Sequence, residues 1–260
     1  MASNGIQMEK YLNAKGHITN DGICRVRKMY KLLMDEYKFT VGSARITFDE
    51  NNKRRCEYAG RKMVDVNKKH IRQSSYFDYN TNILTVHTGQ EYGGLIGVDI
   101  DVKGTHKDGI DVFEKWLKEE GTSYKDTFTC STPTGGRHYI YYLDNHQMRR
   151  LSQLNFGGDQ IGLFGKDIDI IYKCGRFYTY GYVRKTDGVK EYKIISYAKP
   201  IRLPDMIFTE LLICIKKNIK PVKEIVTKTI TKLQTSTEVK TDSVNNSNNQ
   251  KLIVITQMFK

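Results

Sequence analysis

The sequence predicts an α+β fold, and three observations carry that reading. Apolar residues recur at helical spacing in an opening segment, short apolar runs broken by glycine follow from Ile83 onward, and a last helical pattern closes the packed region after Pro204. At 260 residues, with 39% hydrophobic and 11% aromatic content, the chain has ample material for a packed core.

Ile23, Val26, Met29, Tyr30, Leu33, Met34 and Tyr37 fall at three- and four-residue steps and predict an amphipathic helix, with Asn20 or Asp21 as its cap. Residues 38–80 are rich in Lys, Arg, Asn and Tyr without a strong period and read as short strands, loops and one helix. Residues 83–87 and 95–102 read as strands, and Ile110, Phe113, Trp116 and Leu117 as a helix with Phe113 and Trp116 in the core. The runs 127–131 and 137–143 flank Pro133, Gly135 and Gly136 and predict a hairpin. A further strand pair is expected at 168–172 and 177–183, turning around Gly175, with one more strand at 190–197. Pro204 and Asp205 then open a helix holding Met206, Ile207, Leu211, Leu212 and Ile215. The packed domain is expected to span 1–217, and 218–260, dominated by Lys, Thr, Ser and Asn, to be a polar linker or tail.

Lys and Arg number 42 against 29 Asp and Glu, a formal charge of +13. Such an excess favours phosphate-rich partners through long-range attraction and counterion release. Cys24, Cys56, Cys130, Cys174 and Cys214 are odd in number, scattered and never spaced as CxxC, which argues against a structural zinc site or a disulfide framework. No run approaches the length of a membrane span and no signal-type apolar core follows the first residues, so a soluble, intracellular protein with no membrane partner is expected.

The chemistry concentrates in three places. Asp99 and Asp101 are spaced i, i+2 in an apolar run, so in a strand Leu95, Gly97, Asp99 and Asp101 point one way and Ile96, Val98, Ile100 and Val102 the other. Two carboxylates this close repel and lose hydration, and a divalent cation is the simplest neutraliser. Asp167 and Asp169 repeat the spacing, and either suits a position facing the first pair; both also suit salt bridges to the many lysines. Three carboxylates from separate strands are what two-metal phosphoryl transfer needs. An isolated Asp-x-Asp is equally a solvated turn, a cap or the metal motif of a sugar-nucleotide transferase. Gly135 and Gly136 suit close approach of backbone amides to a phosphate, with His138 as a donor or proton carrier. The plainer reading is a glycine turn beside a satisfied histidine. Tyr139, Tyr141 and Tyr142, with Phe177, Tyr178, Tyr180 and Tyr182, suit base stacking, or the commoner use of strand aromatics as core and cross-strand pairs.

Thr88 and Gly89, the run 94–101 with Asp99 and Asp101, the run 132–138 with its following strand, and then Ile168, Asp169 and Gly175 resemble the primase-polymerase branch of the archaeo-eukaryotic primase superfamily in order, spacing and flanking hydrophobicity. The resemblance covers 83–197, with the first and last helices as looser matches. Such domains occur in plasmid replication proteins and at the front of the primase-helicases of large DNA viruses. The resemblance implies a primase-like catalytic core in which two sheet modules, including an RRM-like palm, flank a metal-binding cleft. It makes Asp99, Asp101 and Asp169 the catalytic ligands of a two-metal Mg2+ or Mn2+ site. Asp169 is preferred to Asp167 for its distance to Cys174 and Gly175. His138 becomes the contact to the incoming nucleotide's phosphates, with Gly135, Gly136, Arg137, Lys103 and Arg176 as further nucleotide-binding residues. Thr134 stands where serine is common, one glycine remains at 174–175, and Phe177 to Tyr180 replaces a small, Pro-rich stretch. Nothing matches GxxxxGK[ST], so no helicase motor is present in this sequence.

The implied activity is that of a DNA primase and polymerase, a nucleotidyltransferase that adds nucleoside triphosphates under template direction for primer synthesis, extension or both. Its implied partners are a single-stranded DNA template and primer and a separate helicase or other replication proteins, in the cytoplasm or at a virus replication site. Two alternatives remain: a catalytically weak or inactive nucleic-acid-binding accessory protein, and a metal-dependent nuclease.

Overall fold

Thr19, rather than Asn20 or Asp21, caps the first helix, α1 (Asn20–Asp35): its backbone is extended, at φ −86° and ψ 171°, and its hydroxyl accepts from the Gly22 amide. The computed structural model describes residues 8–49, 53–58, 77, 79–102, 108–156, 167–172 and 175–218. Among these, four helices accompany a single antiparallel sheet, a mixed α+β architecture. The other helices are α2 (Asp108–Glu119), α3 (Asn145–Gln153) and α4 (Asp205–Asn218). The described part of 38–80 holds two strands and no helix, and apart from Asn218 the expected tail lies outside the described residues.

The strands are β1 (Val41–Phe48), β2 (Arg54–Tyr58), β3 (Ile83–Thr88), β4 (Leu95–Ile100), β5 (Phe128–Ser131), β6 (Arg137–Tyr142), β7 (Ile168–Ile171), β8 (Gly175–Lys185) and β9 (Gly188–Tyr197), in the order β2-β1-β3-β8-β9-β5-β6-β4-β7. The sheet consists of two groups of strands that share β9. From Gly188 to Tyr192 this strand pairs with β8, and from Lys193 to Tyr197 it pairs with β5 across a register shift. The whole curls into a half-barrel that brings β4 and β6 against β8. Strands β5 and β6 form the expected hairpin, closed by the Gly135 amide on the Thr132 carbonyl and the Thr132 amide on the Gly136 carbonyl, both at 3.0 Å.

The expected pairing of 168–172 with 177–183 is not found: β7 pairs with β4, and β8 with β3 and β9. The reason lies in where the apolar residues go. Ile168 and Ile170 join a core beneath α2 and α4 with Ile96, Val98, Ile100, Tyr139, Phe113, Ile207 and Leu211. Phe177, Tyr180 and Tyr182 join a different core, with Val26 and Leu33 of α1, Leu84, Val86, Cys130 and Ile140. With their main apolar residues held in separate cores, the two strands take different neighbours. Within α2, Phe113 and Leu117 face inward at i, i+4, while Trp116 is only half-buried. Tyr139, Tyr141 and Tyr182 are fully buried, which takes these three rings out of reach of a base.

Candidate active site

Strand register assembles the site. Asp99 on β4 stands directly opposite His138 on β6 and, on its other side, directly opposite Asp169 on β7. Directly opposed residues of an antiparallel pair project from the same face with Cβ atoms about 5 Å apart. His138, Asp99 and Asp169 therefore lie abreast on three neighbouring strands. Two residues on, the Asp101 amide donates to the Asp167 carbonyl at 3.0 Å, carrying the register past the strand end and setting Asp101 against Asp167. The backbone register therefore brings Asp169 abreast of Asp99 and His138, and Asp167 opposite Asp101 just beyond the strand ends. The opposite face of β4 delivers Ile96, Val98 and Ile100 to the helix-covered core, as the alternation predicts.

His138 is 5% exposed, and each of its ring nitrogens faces an oxygen acceptor. Nδ1 donates to the Tyr178 carbonyl at 2.7 Å, and Nε2 lies 3.1 Å from Asp99 Oδ1. A neutral imidazole carries one N–H, which the Tyr178 carbonyl takes, and the carboxylate beside Nε2 favours a second proton on the ring. Burial acts against that charge. The Asp99 carboxylate, the Tyr178 carbonyl and the more distant Asp101 outweigh it and hold the pKa above the ordinary histidine value. Asp99 Oδ1 is itself shut off from water and has no well-aligned hydrogen bond, so its contact with the ring is an ion pair rather than a directed bond. Phe177 meets the imidazole edge-on, with ring centroids 5.2 Å apart, and Tyr192 lies 6.2 Å away.

Two glycines let the site close. A Cβ on Gly97 would fall 1.9 Å from Phe177 Cε2, so only glycine lets the β8 ring rest on β4 beside the acids. A Cβ on Gly136 would lie 2.4 Å from the Ile100 carbonyl, so the hairpin end runs tight against β4 at the residue between Asp99 and Asp101. Gly135, at φ +92°, forms the turn before it.

The other candidates disperse. Arg137 alternates with His138 and so shares the face of Tyr139 and Tyr141, on the helix-covered side, where its Nε is buried without a hydrogen-bond partner. Arg176 pairs across the strands with His87 of β3. Lys103 and Cys174 lie outside the described residues. Asp101 is exposed, and Asp99, Asp167 and Asp169 are partly so. Among the described residues no three His, Cys, Asp or Glu side chains are close enough as they stand to hold one metal ion. The donor set is all carboxylate, the hard-oxygen chemistry that Mg2+ and Mn2+ take, and the buried, undonated Asp99 Oδ1 is an acceptor that suits a cation.

Sequence reasoning named Phe177 only as a stacking or core ring, not as a neighbour of His138, and missed the Tyr178 carbonyl, Tyr192 and the packing role of Gly97. None has a local signal, since each contact arises from the curl of the sheet. The chain matches no protein-family model, and no curated protein matches it significantly. No helix among the described residues is long and apolar enough to cross a membrane.

Proposed function

We propose that this chain is a metal-dependent, template-directed nucleotidyltransferase of the primase-polymerase kind. The observation that carries the reading is the row formed by His138, Asp99 and Asp169 on one sheet face, with Asp101 and Asp167 beside it. Asp99, Asp101 and Asp169 would hold Mg2+ or Mn2+. Bound there, the ions supply activation of a primer 3′-hydroxyl and neutralisation of the leaving pyrophosphate. Asp99 and Asp169 hold their places through β-ladder register, which keeps them oriented without reorganisation, and Asp101 follows one residue past the strand end, tied by its amide to the Asp167 carbonyl. His138 presents a proton on Nε2, held there by the acceptor on Nδ1, and so can donate to a triphosphate oxygen that takes the place of Asp99. The 3′-oxygen forms its bond to the α-phosphorus as the bond to pyrophosphate breaks, and the hydroxyl proton leaves to solvent. The formal charge of +13 suits a phosphate-rich template.

The test is extension of primed and unprimed single-stranded DNA with labelled nucleotides and Mg2+ or Mn2+. Products are expected from the parent chain and at least a hundredfold less from Asp99→Ala/Asp101→Ala, in line with removal of a principal electrostatic element. Equal synthesis by the double variant would sink the proposal.

A specific observation favours a second reading. His138 already neutralises Asp99, an arrangement that holds without metal and suits an accessory protein that binds nucleic acid and no longer turns over. That reading requires salt-sensitive DNA binding indifferent to Mg2+ and no product in any lane.

A further inference from the structure

Helix α1 presents a run of cations that its own stability does not call for. Arg25, Arg27, Lys28 and Lys31 are all exposed. They occupy the middle of the helix, whereas the macrodipole rewards positive charge in the last turn, which here has no basic residue. Among the described residues none of the four forms an ion pair with a carboxylate. Arg25 instead donates to the Tyr11 hydroxyl, and the Arg27 guanidinium lies over the Tyr79 ring, 5.9 Å from its centroid.

Tyr79 is the second half of the observation. At 66% exposed it is the most exposed large aromatic side chain described, yet it is positioned, with Phe77 meeting it edge-on at 6.4 Å between centroids. A cavity of about 410 Å³ lies among Tyr79, Phe77, Tyr30 and Met34, with Arg27 and Lys31 also lining it. Asp35 lines it as well and ends the positive run at the helix C-terminus. The cavity on the other flank of α1, about 550 Å³, offers Arg25, Lys28 and Lys193 but sets them against Asp35, Glu36 and Glu191, a balance that selects no anion.

Sequence-tolerant binding of single strands combines cations that track phosphates with an aromatic ring on which a base stacks. We propose that Tyr79, Arg27 and Lys31, continued by Lys28, form a docking surface for single-stranded nucleic acid. A duplex keeps its base faces stacked and offers Tyr79 nothing. The surface rests on the nucleotidyl-transfer reading only for the strand's role as template.

The experiment is fluorescence anisotropy of the full chain with a labelled oligothymidine over a range of salt, beside a synthesis assay. Tyr79→Ala is expected to weaken binding roughly tenfold, the effect of losing one stacked base, while Tyr79→Phe keeps it. Arg27→Ala/Lys31→Ala should reduce the slope of log K against log salt by about 1.4, from about 0.7 per lost phosphate contact on a single strand. A parent that binds through Tyr79 but makes no product overturns the nucleotidyl-transfer reading and leaves this surface standing. Parent-like binding by both Tyr79→Ala and the Arg27/Lys31 variant overturns the surface, as does duplex binding tighter than single-strand binding and indifferent to Tyr79.

Discussion

His87 and His138 are buried in one sheet, and their neighbours push their pKa values in opposite directions. Burial, reinforced by the positive charge of Arg176, pushes His87 down to about 4, whereas at His138 burial is outweighed by Asp99 and the Tyr178 carbonyl, which raise it above the ordinary histidine value. The stability consequences have opposite signs. A histidine with a lowered folded pKa contributes stability that is present above its unfolded value of about 6.5 and is lost as pH falls toward 4. One with a raised pKa contributes stability at low pH that is lost as pH rises through the folded value. For His87 the loss between pH 7 and 4 amounts to as much as about 3 kcal/mol. Urea unfolding at several pH values should show it as a steeper decline in the parent than in His87→Leu, and equal slopes would refute the assignment. At this scale Asp99, Asp101, His138 and the ambiguity between Asp167 and Asp169 were legible, because side-chain type and two-residue spacing survive in any strand. The Tyr178 carbonyl was not, since every residue but proline offers the same backbone groups and only the fold chooses among them.

The helix missed from sequence, α3, shows what periodicity overlooks. It is short, and Met148 and Leu151 are its only apolar residues, too few to stand out as a run. Its start is nevertheless written as Asp144 and Gln147, three residues apart: Asp144 Oδ1 accepts from the Gln147 amide at 2.7 Å and Gln147 Oε1 accepts from the Asp144 amide at 3.2 Å. Gln147 Nε2 also donates to the Leu203 carbonyl at 2.9 Å, and Arg202 bridges Asp144 and Asp205, so the starts of α3 and α4 are tied together. Gln147→Ala leaves a buried carbonyl without its donor and is expected to cost about 1 to 3 kcal/mol. A calorimetric scan should show a lower Tm in both Gln147→Ala and Gln147→Glu, since glutamate restores the cap but not the donor. An unchanged Tm in the glutamate variant would show that the Leu203 bond contributes nothing. Strands with clear apolar runs, such as β3, β4 and β6, were found within a residue or two, and so was the β5–β6 hairpin with its Pro and Gly turn; the distant partners of β3 and β4 were not, because no local residue records a pairing made across many residues of chain.

Across the whole molecule the curl rests on the passage of Phe177 over Gly97. Gly97→Ala should destabilise the protein by about 2 kcal/mol or more through overpacking. Phe177→Leu in the same chain should recover part of that, giving a double-mutant coupling of about 1 kcal/mol or more in urea unfolding. Strict additivity would mean that the two halves of the sheet do not lean on each other there. An α+β class was readable from the alternation of helical and strand patterns, but the topology was not, because β9 belongs to both groups of strands and nothing local in 188–197 announces two partners. That shared strand also dictates a timetable. As the chain emerges from the ribosome, β3 and β5 are made long before β8 and β9, and each waits with a bare edge for a partner encoded far downstream. Assembly is therefore late and dominated by distant pairings, the regime of slow folding and of nascent chains prone to pair with one another.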